Sequence, residues 1–244
     1  NKFKGKIKYI DHHESHIASS LYFSDFKESI NVSVDGFGDF VSCAWGIYKN
    51  NKLKITNKIN FPHSLGIFYQ SITQFLGFNN YGDEYKVMGL SPYGKPKYKD
   101  EISKLIYKTQ NGFKLNLEYF LHHKQNVFEI NNNGQFIYKD LFSNKIINLL
   151  GKKRLIDQKI EQKHMDLARS AQDIYEDIFL HILKLAHSKN DNIKNLNLSG
   201  GCAMNSVANG KILNNTSFKN IYISPNPGDA GGSIGSSLIF LDKN

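Results

Sequence analysis

Residues 11–16 have the sequence Asp-His-His-Glu-Ser-His, so three imidazoles and two carboxylates fall within six consecutive positions. If a helix continues through Ser15–Phe23, His12 and His16 stand four residues apart on one face of its first turn. Two imidazoles at this spacing can bind one metal ion, as they do on zinc-binding helices. His13 lies off that face. Its side chain is either exposed to solvent or contacts one of the metal ligands on the side away from the metal. The pair can also arise by chance.

A third ligand would come from elsewhere in the chain, and the candidate is Asp35. It closes the run Ile30–Val34, whose alternating apolar residues predict a strand, and it opens the glycine-rich turn 36–39. In actin-like, sugar-kinase-like ATPases a strand ending in Asp-Gly-x-Gly-Asp holds a nucleotide phosphate. Backbone N–H groups at Gly36 and Gly38 would reach the phosphate because glycine has no side chain. The same motif also occurs in plain turns, so both interpretations stay open.

Length and composition indicate a globular protein with a real core. The chain has 244 residues, 40% hydrophobic and 13% aromatic, enough for one large domain or two small ones. It contains no run of eighteen apolar residues, and residues 1–8 are polar and lysine-rich without a signal-peptide core. Cys43 and Cys202 are the only cysteines, which argues against a disulfide framework. We therefore expect a soluble, cytoplasmic protein with no membrane partner.

The net charge of +9 raises the question of a nucleic-acid partner. Only Arg154 and Arg169 are arginines, and the lysines are scattered rather than gathered in a stripe with aromatic residues. A phosphate-tracking groove needs such a stripe. We therefore do not expect a nucleic-acid partner.

Several short apolar runs predict strands before residue 62. A first short strand is expected at Ile7–Ile10. Three further strands, joined as a meander with a hairpin turn at Asn50-Asn51, are expected at Ile30–Asp35, Cys43–Tyr48 and Leu53–Phe61. A helix with one buried face is predicted to follow, beginning at Ser64 or Pro62.

The segment 82–94 crowds an acidic pair, a lysine and three glycines into thirteen residues. Glu84 is a candidate for holding the two hydroxyls of a ribose, as carboxylates do in nucleotide folds. Gly89 and Gly94 would let the backbone approach a ligand closely.

Residues 97–150 are the least informative. They suggest a helix at Asp100–Tyr107, strand-like pieces at Phe113–Leu117 and Val127–Ile130, and a turn or disordered tip at 131–134. His122 and His123 have no partner at ligand spacing, which favours surface histidines.

The last third predicts a long amphipathic helix at Asp166–His187, then strands at Leu196–Leu198 and Tyr222–Ser224. The first strand runs into Ser199-Gly200-Gly201, a glycine pair before a predicted helix start with Asn205 on its first turn. This is either an anion or nucleotide site or a tight turn.

After the second strand Asp229 stands on a glycine-rich loop before a helix at Ser233–Leu241, mirroring Asp35. Two histidines and two aspartates suit Fe(II), Mn(II) or Zn(II).

Six motifs in order resemble those of the O-carbamoyltransferases, a family that includes the nodulation-factor, cephem-antibiotic, novobiocin and tobramycin enzymes. The motifs are His12-x-x-x-His16, 34–39 (Val-Asp-Gly-x-Gly-Asp), 63–66 (His-Ser-Leu-Gly), 83–90 (Asp-Glu-x-Lys-Val-Met-Gly-Leu), 199–205 (Ser-Gly-Gly-x-Ala-x-Asn) and 228–231 (Gly-Asp-Ala-Gly). The related tRNA threonylcarbamoyl-transferring ATPase also has the histidine pair, but the run 86–90 is similar to the O-carbamoyl branch.

The resemblance implies an α/β, actin-like ATPase fold with mixed β-sheets flanked by helices. It implies an iron ion, Fe2+, held by His12, His16, Asp35 and Asp229, with Mn2+ or Zn2+ as alternatives. The ion would anchor the phosphate end of a carbamoyl adenylate, made from ATP and carbamoyl phosphate, for attack by the hydroxyl of a small-molecule or sugar-containing acceptor. Glu84 would hold the ribose, and the residues expected at the nucleotide are Gly36, Gly38, Ser199, Gly200, Gly201 and Asn205. Lys86 would pair with phosphate or with a neighbouring acid.

The predicted organisation has three segments. Residues 1–95 form a partial metal and phosphate-binding subdomain, 96–165 a variable insertion that shapes the acceptor pocket, and 166–244 a second nucleotide-binding subdomain. Family members also have a His-Asp-Ala-Ser type segment before this region and a YrdC-like domain after it. We expect the chain to be the fragment between them, with that domain as its partner in the full-length protein.

Two other functions stay open. One is a tRNA threonylcarbamoyl transferase-like enzyme, which would bind tRNA with a steep salt dependence. The other is a non-catalytic metal and nucleotide-binding fragment. A homodimer is one option for the assembly.

Overall fold

A computed structural model describes residues 5, 7–130, 132–134 and 136–242. The strands of this part are β1 (Ser29–Gly38), β2 (Val41–Lys49), β3 (Lys52–Asn60), β4 (Ile106–Thr109), β5 (Gly112–Leu115), β6 (Phe128–Ile130), β7 (Phe136–Tyr138), β8 (Asn195–Ser199) and β9 (Asn220–Ile223). Its α-helices are α1 (His12–Leu21), α2 (Leu65–Phe75), α3 (Glu84–Leu90), α4 (Lys99–Ile102), α5 (Asn144–Leu150), α6 (Gln162–His187), α7 (Ser206–Asn209), α8 (Ile212–Asn215) and α9 (Asp229–Asp242).

The central sheet has five strands in the order β3-β2-β1-β8-β9. The first three form the predicted antiparallel meander, while β8 runs parallel to β1 and β9 runs parallel to β8. The prediction of a mixed sheet flanked by helices is therefore confirmed.

Strand β1 has two different faces, because successive side chains of a strand point to opposite sides of the sheet. Ile30, Val32 and Val34 join the main apolar core, which also takes buried residues from α2 and α6. Asn31, Ser33 and Asp35 are also buried but belong to the other set of positions. There β1 and β8 contact α1, which packs along α9. One strand thus supplies both the core and the residue that closes the polar site.

Two turns of the meander show how its register is set. The hairpin between β2 and β3 turns at Asn50 and Asn51 with φ of 54° and 58°, the left-handed conformation that asparagine tolerates. This confirms the predicted hairpin. The glycine-rich turn was expected at 36–39, but β1 continues through Gly38 and the chain turns at Asp39 and Phe40, with φ of 50° and 60°.

Some local predictions are wrong. Residues 7–10 do not form a strand: Ile7 is 69% and Tyr9 91% exposed, so the run buries too little apolar surface to join the sheet. The helix expected at Asp100–Tyr107 ends at Ile102, and from Ile106 the chain pairs with Gly112–Leu115 as a strand.

The middle of the chain holds further differences. Helix α5 and strand β7 were not predicted, and β7 pairs with β6 across a turn at residues 132–134, while Asn131 lies outside the described residues. His122 and His123 were expected at the surface, yet both are only partly exposed, and His122 Nε2 lies 2.8 Å from the Pro62 carbonyl oxygen.

Helix α9 begins at Asp229, so that residue starts a helix rather than standing on a loop. The five-stranded sheet draws three strands from segment 1–95 and two from segment 166–244, and the division into subdomains stays a prediction. In the part of the chain that the structure describes, no helix combines the length and apolarity needed to cross a membrane.

Candidate metal centre

The first turn of α1 is fixed by the residue that precedes it. The Asp11 side chain accepts hydrogen bonds from the backbone N–H groups of His13 and Glu14, at 3.0 and 3.1 Å, and so caps the helix. Lys58 Nζ lies 2.7 Å from the same carboxylate, and the His12 N–H donates to Asp39 Oδ2 at 2.9 Å. The helix therefore begins at His12, one turn before His16, and both side chains lie on the predicted face.

Four side chains from three elements converge beside this turn. His12 Nε2 and His16 Nε2 lie 3.0 Å apart, and Asp35 Oδ2 is 2.9 Å from the first and 3.2 Å from the second. Asp229 Oδ1, at the start of α9, is 3.8 and 3.4 Å from the same two nitrogens. One donor atom from each residue lies within 4.8 Å of every other. The structure thus brings together the four residues that the sequence nominated as ligands.

The electrostatics of the cluster follow from its mixture of burial and charge. Burial alone would raise the pKa of Asp35, but the hydrogen bonds to His12 and His16 outweigh it and hold that pKa well below its usual range. The hydrogen bond to Asp35 raises the pKa of His12 against the effect of burial. His16 is only 1% exposed, so its ring lies inside the protein while Asp229 remains largely exposed.

Two glycines make room for two of the donor side chains. They do so because they have no side chain of their own, and not because their backbone angles are unusual. A Cβ at Gly38 would lie 2.0 Å from Cγ of His12, so the imidazole packs directly on the backbone of β1. A Cβ at Gly201 would lie 2.8 Å from Asp35 Oδ1, the oxygen that accepts a 2.9 Å hydrogen bond from the Gly201 N–H. The lack of a side chain at Gly38 and Gly201 therefore allows His12 and Asp35 to lie where they do.

Helix α9 approaches α1 very closely, and this places Asp229 over the histidine pair. A Cβ at Gly235 would lie 1.9 Å from the Ser15 carbonyl oxygen and 2.8 Å from the Ser19 nitrogen. Small residues of this kind allow two helix backbones to come together. The position of Asp229 thus depends on a contact about one and a half turns further along α9.

His13 is not solvated, and its ring packs edge-on against the His12 ring with centroids 5.3 Å apart. It is 1% exposed, and its ring nitrogens lie 2.8 Å from Ser33 Oγ and 2.9 Å from the Val41 carbonyl oxygen. Burial lowers its pKa. His13 therefore ties α1 to the first two strands as a neutral residue.

The residues expected to bind a nucleotide differ in their burial and in whether they already have a partner within the protein. Gly36 has open space where a Cβ would lie, which allows close approach of a ligand. Glu84 is partly buried at the start of α3, and burial raises the pKa of its carboxyl group. Lys86 Nζ lies 2.7 Å from Asp83 and 5.6 Å from the centre of the Phe78 ring, so its charge is paired within the protein.

The loop expected to bind the nucleotide near residue 200 differs from the prediction. Gly201–Met204 is a short 3-10 helix, and α7 begins only after Asn205. Ser199 is fully buried in β8, and Gly200, with φ of 87°, would bring a Cβ within 2.2 Å of the Val34 carbonyl oxygen. The Asn205 side chain accepts from the Ala208 N–H and pairs with Gln172. The side chains of Ser199 and Asn205 are thus engaged inside the protein.

An aromatic pair near the centre was missed by the sequence reasoning. Tyr81 and Tyr138 stack with ring centroids 5.6 Å apart and planes 10° from parallel, and Tyr81 is 69% exposed. Partial burial raises the pKa of Tyr81, and the carboxylates of Asp229 and Asp35 add to the shift. The two tyrosines are 57 positions apart in the chain, so no local pattern could have joined them.

The fold and the site define a class: a mixed α/β protein with a helix-flanked central sheet and a two-histidine, two-carboxylate cluster beside its first sheet strand. Comparison with known families agrees. The family model described as "Carbamoyltransferase N-terminus" matches residues 1–238. The chain therefore belongs to this carbamoyltransferase family, as the motifs predicted.

Two relatives and one solved structure illustrate the similarity. The chain is 37% identical over 231 residues to the uncharacterized protein sll1178 of Synechocystis, covering 93% of this chain and 35% of that one. It is 31% identical over 238 residues to the nodulation protein NolNO of Sinorhizobium fredii, covering 98% and 32%. A crystal structure of T. kodakarensis HypF matches with a TM-score of 0.45 and 15% identity, covering 96% and 37%. The chain thus spans about a third of the length of the relatives it matches.

Proposed function

We propose that this chain forms the metal- and nucleotide-binding part of an O-carbamoyltransferase. The full-length protein would transfer a carbamoyl group from carbamoyl adenylate, made from ATP and carbamoyl phosphate, to the hydroxyl of a small-molecule or sugar-containing acceptor. The observation that carries the proposal is the convergence of His12, His16, Asp35 and Asp229 in a chain of the carbamoyltransferase family.

The chemistry of the cluster supports a bound divalent cation. Two Nε2 atoms 3.0 Å apart both face Asp35 Oδ2, and a neutral imidazole carries only one N–H. When each of the two rings carries its N–H on Nδ1, both Nε2 atoms present a lone pair beside the two carboxylates. A cation that accepts a lone pair from each of these donors would satisfy all four. Two imidazoles and two carboxylates are borderline and hard ligands, which suit Fe2+, Mn2+ or Zn2+.

Some residues of this chain would bind the metal ion, and others would bind and orient the nucleotide. His12, His16, Asp35 and Asp229 would hold the ion, which when bound supplies Lewis-acid stabilisation of charge on the departing phosphate. The open backbone at Gly36 would admit the phosphate, and Glu84, half-buried and acidic, would accept hydrogen bonds from the ribose hydroxyls.

The transfer itself balances as a simple substitution at the carbamoyl carbon. The acceptor oxygen forms a new C–O bond, the bond to the phosphate oxygen breaks, AMP leaves, and the hydroxyl proton passes to a base. Gly36 and Gly38 lie on the same strand end as Asp35, so the phosphate and the ion would meet there. The acceptor would approach from the side of the insertion at 96–165, which contributes Tyr138, the partner stacked on Tyr81.

Metal content and ATP binding test the proposal directly. Full-length protein is purified without oxygen, and its metal is measured for the wild type and for the double variant His12→Ala/His16→Ala. His181→Ala is the matched control, since its Nε2 lies 3.0 Å from the carbonyl oxygens of Thr109 and Gly112 on the β4–β5 hairpin, outside the four-residue cluster. We expect near-stoichiometric metal in the wild type and control, with loss of metal and weaker ATP binding in the double variant.

A turnover measurement completes the test. Release of AMP from ATP is followed with and without carbamoyl phosphate and a panel of sugars, and carbamoylated product is sought by mass spectrometry. We expect release that requires carbamoyl phosphate and that falls at least tenfold in His16→Ala. Equal metal content and ATP binding in all three proteins would overturn the metal assignment and with it the proposed mechanism.

A further inference from the structure

A buried hydrogen-bond network joins helix α6 to the loop Ser199–Asn205, which we call the glycine loop. Gln172 Nε2 donates to Asn205 Oδ1 and Asn205 Nδ2 donates back to Gln172 Oε1, both at 3.0 Å. Gln172 is 1% and Asn205 8% exposed. Tyr69 also donates its hydroxyl to Gln172 Oε1 at 2.6 Å, and Gln172 Nε2 donates to Glu176 Oε1 at 2.9 Å. Every polar atom of the Gln172 side chain is therefore engaged.

A second bond from the same helix holds the middle of the loop. Tyr175, 2% exposed, donates its hydroxyl to the Cys202 carbonyl oxygen at 2.8 Å. Gln172 and Tyr175 thus fix the glycine loop at its end and next to Gly201. A loop held at two points by a 26-residue helix has little freedom to move.

The glycine loop in turn sets the direction of one carboxylate in the metal centre. The Gly201 N–H donates to Asp35 Oδ1 at 2.9 Å, while Asp35 Oδ2 faces the two imidazoles. The two oxygens therefore have separate tasks. A shift of Gly201 would release Oδ1 and let the carboxylate rotate away from the histidines.

We infer that Gln172 and Tyr175 are positioning residues for the ligand Asp35, acting through the glycine loop and the Gly201 N–H. Neither side chain belongs to the four-residue cluster. Partners behind the ligands of a metal site orient them, and their loss lowers metal affinity by about 10- to 100-fold. The inference rests on the proposed metal centre, and it assigns Asn205 to the support of that centre.

The matched control must lose a buried amide of equal size at a place that does not touch the loop. Gln74 on α2 is 5% exposed, donates to the Lys139 carbonyl at 3.1 Å and accepts from the Leu141 N–H at 2.8 Å. Gln74→Leu therefore also removes a buried amide, with two hydrogen bonds against the four that Gln172→Leu removes. Tyr175→Phe removes only a hydroxyl and preserves the ring packing, so it remains informative if Gln172→Leu does not fold.

The experiment titrates Co2+ into metal-free, full-length protein and records its visible absorption spectrum, with thermal stability measured in parallel. We expect Gln172→Leu and Tyr175→Phe to bind Co2+ about 10- to 100-fold more weakly, with altered ligand-field bands. Gln74→Leu should lose stability yet keep the affinity and spectrum of the wild type.

Two results would overturn the inference while leaving the metal centre in place. The affinity and spectrum of Gln172→Leu and Tyr175→Phe could match the wild type, or Gln74→Leu could weaken Co2+ binding to the same degree. A wild type that binds no Co2+ would instead refute the metal centre and the inference together.

Discussion

Replacing Gly235 by alanine should separate α9 from α1 and pull Asp229 off the histidine pair. The new Cβ would lie 1.9 Å from the Ser15 carbonyl oxygen, about 1.5 Å short of the 3.4 Å at which ordinary van der Waals contact begins. Overpacking costs about 1–3 kcal/mol, whereas alanine for glycine inside a helix gains about 1 kcal/mol. We therefore expect a net loss of stability of about 0–2 kcal/mol.

The effect on metal binding should be larger than the effect on stability. Metal–ligand distances hold to about 0.2 Å, so a shift of about 1.5 Å at the base of Asp229 is beyond what the site tolerates. We expect metal affinity to fall at least roughly tenfold, although Gly235 is not a ligand. Competition titrations with a coloured chelator give the affinity, and urea unfolding of the metal-free protein gives the stability.

Gly232→Ala is the control on the same helix, because its Cβ would meet Ser15 Cβ at an ordinary 3.9 Å. It should keep the metal affinity of the wild type and gain up to about 1 kcal/mol of stability. If Gly235→Ala binds metal as tightly as Gly232→Ala, the position of Asp229 does not depend on the close contact between the two helices, and the reasoning fails.

Three further predictions follow from the same geometry. His13→Ala removes a buried ring and leaves Ser33 Oγ and a strand carbonyl without a partner, so the metal-free protein should lose about 2–4 kcal/mol in urea unfolding; a loss below about 1 kcal/mol would contradict the structural role. In the metal-free protein the raised pKa of His12 contributes stability that is complete below pH 6.5 and is lost as pH rises through the raised value. The lowered pKa of Asp35 contributes stability that is complete above pH 3.8 and is lost as pH falls through the lowered value. Unfolding in a chelator should therefore show both contributions in full between pH 3.8 and 6.5, and His12→Gln should reduce the loss of stability above pH 6.5. Asn51→Gly relieves a φ of 58° and should stabilise the hairpin by a few tenths to about 1 kcal/mol, measured as a rise in melting temperature.

The parts of the fold that the sequence predicted well depend on short-range patterns. The meander follows from the alternation around Ile30–Val34 and from the asparagine pair at its second turn. The histidine face of α1 follows from a four-residue spacing that any helix would keep. Asp229 could be nominated because, like Asp35, it comes after a predicted strand and lies among glycines.

The predictions that were wrong concern segments whose conformation is decided by distant partners. Ile7–Ile10 has the composition of a strand but no neighbouring strand among the described residues to pair with. Ile106 and Tyr107 continue a helical pattern, yet hydrogen bonding to β5 outweighs that weak preference. The engagement of Asn205 by Gln172 joins residues 33 positions apart, so nothing local could reveal it.

A glycine in these motifs can be required for either of two physical reasons, and the sequence does not distinguish them. A phosphate site and a tightly packed ligand both require a position without a side chain. The structure distinguishes them: Gly36 opens onto free space, whereas Gly38 and Gly201 press against His12 and Asp35. Because Gly36 directly follows Asp35 in β1, a change that moves the proposed phosphate-binding backbone at Gly36 would also move a proposed metal ligand. Nucleotide binding and metal binding should therefore be coupled, with each raising the affinity for the other by the same factor.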